Sequence, residues 1–156
     1  MKDHLESTSS NPETDGIIAT LEKKQLGYDL FLAATIDLKE MIDQEYLERI
    51  EVIIEDRFKI IKMINETDIR FKEYVNHYFK NNLVIPKSVQ IEINAFRNKF
   101  DSAIKKIARL NGQCEAKMSY LVQSRGIQIS NEYGIRQSLK TYRKMNTSPR
   151  FLDITT

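Results

Sequence analysis

The feature that most restricts this chain is one stripe of residues between Leu47 and Tyr78. Leu47, Ile50, Ile54, Arg57, Ile61, Ile64, Asp68, Phe71, Val75 and Tyr78 succeed one another in steps of three and four. Such steps put side chains on one face of an α-helix, and held over several heptads they make a coiled-coil seam. A strand would need strict alternation, which is absent here. The segment is therefore a long helix that must find partners for its apolar stripe. Arg57 and Asp68 are the polar members of the seam. They stand too far apart to pair within the helix, so each is expected to be partly exposed or paired across helices.

The flanking sequence repeats the theme. Asn81-Asn82 breaks the pattern, and Pro86 suits the first turn of a new helix. Ile93, Phe96, Phe100, Ala103, Ile107, Leu110, Cys114, Lys117 and Leu121 then resume the three-four steps. Gly112 sits inside this helix at a cost of about 1 kcal/mol relative to Ala, either to allow close approach or simply tolerated. Upstream, Asp15 is a candidate N-cap for a first helix carrying Ile17, Ile18, Leu21, Tyr28, Leu32, Ile36 and Met41. Its stretch from Leu30 to Ala34 is apolar all round, which predicts neighbours on two sides. Phe71, Tyr74, Tyr78 and Phe79, with Phe96 and Phe100, are expected to form a distal core. The reading is all-α: an elongated antiparallel three-helix bundle or coiled coil with disordered termini. Its helices run from Gly16 to Ile42, Tyr46 to Lys80, and Pro86 to Arg125 or Asn131. The expected organisation is a disordered segment over 1–15, a helical bundle domain over 16–131 and a flexible basic tail over 132–156.

Composition narrows the function. Of the 156 residues, 29% are charged, yet the net charge is only +2, which gives no ground for a nucleic-acid protein. The charge is uneven. Lys2 faces Asp3, Glu6, Glu13 and Asp15 at one end, while Arg136, Lys140, Arg143, Lys144 and Arg150 outnumber Glu132 and Asp153 at the other. Such a tail either meets an acidic partner or keeps the chain solvated. Cys114 is alone, which fits a reducing, cytoplasmic setting. The acidic, Ser-rich start lacks the apolar run of a signal peptide, and no stretch approaches the ~18 apolar residues of a membrane span, so no membrane insertion is expected. Enzyme chemistry needs converging acid-base, nucleophilic or metal-binding groups. His4 and His77 are the two histidines, no Glu-x-x-His pair occurs, and there is no Gly-rich phosphate loop. The expectation is a non-enzyme with no catalytic residues, no metal and no cofactor.

Helix lengths add an inference about binding. The second and third helices share a short connection, so they should lie antiparallel. At ~1.5 Å per residue the third draws level with the start of the second near Leu121 or Val122. The residues beyond that level are expected to project by up to ~15 Å, and an apolar stripe without cover usually finds a partner.

Three segments carry a family resemblance. Met41-Ile42-Asp43-Gln44-Glu45-Tyr46-Leu47-Glu48-Arg49-Ile50-Glu51, leading to Glu55-Asp56-Arg57-Phe58-Lys59-Ile60-Ile61, resembles the second-helix start of flagellar type III export chaperones of the FlgN kind. Leu110-Asn111 through Leu121 to Arg125 is similar to their Asn…Leu…Leu…Arg stretch, and Tyr133-Gly134 to the Tyr-Gly after their last helix. The related FliT kind shares the helical hairpin and the job. The resemblance spans about Ile17 to Gly134 and implies a cytoplasmic chaperone. Such a protein holds a helical terminus of hook-associated (hook-filament junction) proteins and delivers it to the export gate and export ATPase complex. Together with the projecting end it assigns client binding to Met118, Leu121, Val122, Arg125 and Ile129, and gate docking to Tyr133 and Tyr142. A homodimer stays open. So do two rival readings: a coiled-coil adaptor without a secretion client, and a nucleic-acid or membrane-surface binder acting through the basic tail.

Overall fold

The computed structural model describes residues 11–125. These form three helices in the order expected: α1 (Pro12–Asp43), α2 (Leu47–Lys80) and α3 (Lys87–Arg125). Among the described residues there is no strand. At ~1.5 Å per residue the 39 residues of α3 make a rod about 58 Å long.

α1 begins a turn earlier than an Asp15 cap would place it. Asn11 caps instead, its side chain accepting from the Glu13 N–H at 3.1 Å, and Pro12 sits at the first turn, where its missing N–H is not needed. Glu13 and Asp15 then lie in the first turn, where carboxylates complement the helix dipole. The α1–α2 turn closes through Gln44 N–H to Glu40 O and Tyr46 N–H to Met41 O, with Glu45 in the left-handed region at φ 57°.

α1 packs against both other helices, while the backbones of α2 and α3 keep further apart. Small residues explain the close α1–α2 approach. Gly16 faces the Tyr74 ring, and Gly27 faces Ile64, with no room for a Cβ at either. The glycine flagged by sequence, Gly112, has open space around it and is simply tolerated.

Two apolar clusters fill the bundle. One gathers Ile17, Leu21, Tyr28, Phe31, Ile61, Ile64, Phe71, Ile93, Phe100 and Ile107 from all three helices. The other, toward the α1–α2 turn, gathers Leu38, Ile42, Ile50, Ile53, Ile54, Cys114, Met118 and Leu121. Between them lie Thr35, Arg57 and Asn111, all polar and all buried. Arg57, 1% exposed, donates to Asn111 Oδ1 at 2.6 Å and lays its guanidinium over the Phe31 ring. Thr35 returns its hydroxyl to the Phe31 carbonyl. Further along, Asp68 pairs with Lys24 of α1, whose ammonium also lies over Phe100 of α3. Both polar seam residues of α2 thus meet partners on other helices.

Three details differ from the sequence reading. Leu47 opens α2 and is exposed, whereas Ile53 and Thr67 turn inward. The α3 seam runs Ile107, Asn111, Cys114, Met118, Leu121 rather than through Leu110 and Lys117, because Arg57 draws Asn111 inward. Phe79 is exposed rather than part of the distal core, which Phe71, Tyr78 and Phe100 fill together with α1.

Candidate functional site

The expected client face lies where α3 reaches the α1–α2 turn. Two of its residues prove to be internal. Met118 is 3% exposed and Leu121 1%, and both pack in the cluster with Leu38, Ile42 and Ile50. The expectation that they present an open apolar surface is corrected: the α1–α2 turn reaches far enough along α3 to cover them. Val122 is half-buried at the rim. Arg125 closes α3; its side chain, Ile129, Tyr133 and Tyr142 lie outside the described residues.

Other side chains are open at this end. Tyr46 and Leu47, on the α1–α2 turn, are exposed, and so is Tyr120, one residue before the buried Leu121. Tyrosine combines a large apolar body with a polar tip and so suits a wet binding surface. Sequence reading passed over Tyr46 and Tyr120 because they stand off the seams, and placed Leu47 on the α2 seam rather than at the surface. The signal available was an aromatic beside a seam position near a helix end.

Electrostatics fasten the same end. Asp43, at the C-terminus of α1, accepts from Lys117 of α3 and from Lys39 one turn back. The Lys117 ammonium, then that of Lys39, holds the Asp43 carboxyl below the ordinary carboxylate range. A shallow groove between α1 and α3 is lined by Lys39, Ile42, Asp43, Gln113, Cys114 and Lys117. Burial pushes the Cys114 thiol upward, which favours its neutral form and makes it a poor nucleophile.

At the opposite end His77 meets Glu13 at 2.8 Å, in a shallow cleft with Arg70, Glu73 and Tyr74. The pair ties the start of α1 to the end of α2. Beyond it, Phe79, Leu83, Val84 and Ile91 are exposed around the α2–α3 turn. The Tyr78 hydroxyl is buried there with no hydrogen-bond partner among the described residues, and burial, reinforced by the Glu13 charge, raises its pKa. Among the described residues no group of three or more His, Cys, Asp or Glu stands close enough together to hold a metal ion, and no helix is long and apolar enough to cross a membrane. The arrangement offers apolar surface for contact and ion pairs that lock helix ends.

Comparison with protein-family models, with curated proteins and with solved structures finds no match.

Proposed function

We propose that this chain is a helix-binding export chaperone of the FlgN kind, acting in the cytoplasm on hook-associated flagellar proteins. The observation that carries the reading is the end of the rod at the α1–α2 turn. There Tyr46, Leu47 and Tyr120 are left uncovered at the end of the rod where Met118 and Leu121 are buried in the smaller cluster. An amphipathic helix recognises such a surface by laying its apolar face on it. An unassembled junction protein exposes a terminus of that kind. Met118 and Leu121 serve as the floor that positions α3, and Val122, Arg125 and Ile129 extend the contact along its exit. No catalytic group or cofactor enters this account. Tyr133 and Tyr142 are the proposed contacts with the export gate.

The test uses the full chain carrying Tyr46→Asp and Tyr120→Asp. Both positions are exposed, so helical content and melting temperature should stay at wild-type values. Capture of hook-associated proteins from a flagellated cytoplasm should fall at least tenfold. Undiminished capture by the folded variant removes this end as the client site. Failure of the wild-type chain to retain any such protein rejects the export reading itself.

A further inference from the structure

The α2–α3 turn, at the end of the rod away from the proposed client face, is apolar and basic at once. Phe79 is 62% exposed, Leu83 48% and Val84 82%. Lys80 closes α2 and Lys87 opens α3, and both are exposed. Among the described residues neither lysine enters an ion pair. From 74 to 91 the chain has no Asp or Glu, although acids make up 22 of its 156 residues. Of the carboxylates behind the tip, Glu13 meets His77 and Glu73 shares a cleft with Arg70, while Glu92 lies more than a turn into α3.

The turn is built to hold its apolar residues outward. Asn82 takes the left-handed conformation at φ 51°, and Ile85 is buried in the larger cluster with Val89. The Leu83 N–H donates to Tyr78 O at 2.9 Å and the Asn82 N–H to Phe79 O at 3.2 Å. Gln90 donates its side-chain amide to Ile85 O at 2.8 Å and its N–H to Pro86 O at 3.0 Å. A turn that keeps its own backbone bonds loses little on entering a less polar medium. The tip is also convex. A partner helix needs a groove to lie in, whereas the soft boundary between headgroups and acyl chains admits apolar side chains to a depth of about 5–10 Å. We infer that this end of the rod docks on an anionic lipid surface. Phe79, Leu83 and Val84 enter the boundary region, and Lys80 and Lys87 lie among the anionic headgroups. The contact is peripheral, since none of the described helices is long and apolar enough to cross a membrane. A second copy set tip to tip would instead place lysine against lysine. The inference stands apart from the export reading, whose client face lies at the other end, and from any contact made by the basic residues beyond 135.

Vesicle binding by the full chain tests the docking. The wild-type chain should bind phosphatidylcholine vesicles containing about 30% phosphatidylserine in preference to phosphatidylcholine alone, and less tightly as salt rises. Leu83→Ser with Val84→Ser should weaken binding about tenfold. Lys80→Gln with Lys87→Gln should weaken it about fivefold per lysine, on the anionic vesicles only. All four positions are exposed, so melting temperatures should stay at the wild-type value. The chain has no Trp, so Val84→Trp places a single reporter at the tip and Val52→Trp one on α2 toward the other end. Anionic vesicles should shift the emission of the Val84→Trp protein to the blue and leave that of the Val52→Trp protein unchanged. A wild-type chain that ignores anionic vesicles overturns the inference. So does binding that survives both pairs of tip substitutions, which assigns it to the basic residues beyond 135, or an equal shift at the two reporters. A blue shift at position 84 that needs no vesicles and grows with protein concentration makes a second copy the occupant, and one produced by an acidic amphipathic peptide but not by vesicles makes it a protein helix; either overturns the lipid assignment.

Discussion

At the scale of single residues, the three described glycines separate packing from propensity. Gly16 and Gly27 have no room for a Cβ: it would lie 2.6 Å from the Tyr74 ring and 2.6 Å from Ile64 Cγ1. Ile64 is fully buried and has nowhere to move, whereas Tyr74 is only half-buried. Gly27→Ala should therefore destabilise the bundle by about 1–3 kcal/mol, net of the gain in helix propensity. Gly112→Ala meets nothing and should stabilise by about 1 kcal/mol. Urea unfolding of the two variants checks the opposite signs. The sequence left Gly112 open between close approach and tolerance and did not single out Gly16 or Gly27, because propensity is visible along one helix, while close approach depends on which helix faces it.

At the scale of elements, the seam of α2 and the three helices were legible, since period and breakers are local signals. The α3 seam was legible at Ile107, Cys114 and Leu121. Between them the three-four steps picked Leu110 over Asn111 and Lys117 over Met118. The steps Ile107, Asn111, Cys114, Met118, Leu121 were available, but the polar member makes sense only once Arg57 is seen across from it. The same blindness hid the candidate site. Leu121 reads as an end-of-helix apolar residue, and only the reach of the α1–α2 turn shows that it is enclosed. The polar layer also makes a quantitative demand. Asn111→Leu takes away an acceptor from a buried guanidinium and should cost about 2–3 kcal/mol. Arg57→Met combined with Asn111→Leu should bring stability back to within about 1 kcal/mol of the parent, since an apolar layer of similar volume replaces the pair. Denaturant midpoints for the single and double variants decide the matter. A double variant as unstable as the single one rules out this account of the layer.

At the scale of the whole molecule, the rod is held along its length by one helix. α1 touches both partners, and side-chain contacts fasten it near each end: Glu13 to His77, and Asp43 to Lys117 in an ion pair. The buried layer of Thr35, Arg57 and Asn111 has one more effect. It interrupts apolar contact between the two clusters, so the bundle contains a fracture plane. The smaller block, built on Leu38, Ile42, Ile50, Cys114 and Leu121, can open while the larger one stays shut. Cys114 reports on it directly, because its thiol is enclosed in the closed form and reachable in the open one. In native buffer Cys114 should react with a thiol reagent through a partial opening, with a free energy below that of global unfolding and a weaker dependence on denaturant. Half of the rod would then breathe as a unit at the end proposed for the client, so that a visiting helix meets a surface able to loosen without the molecule coming apart.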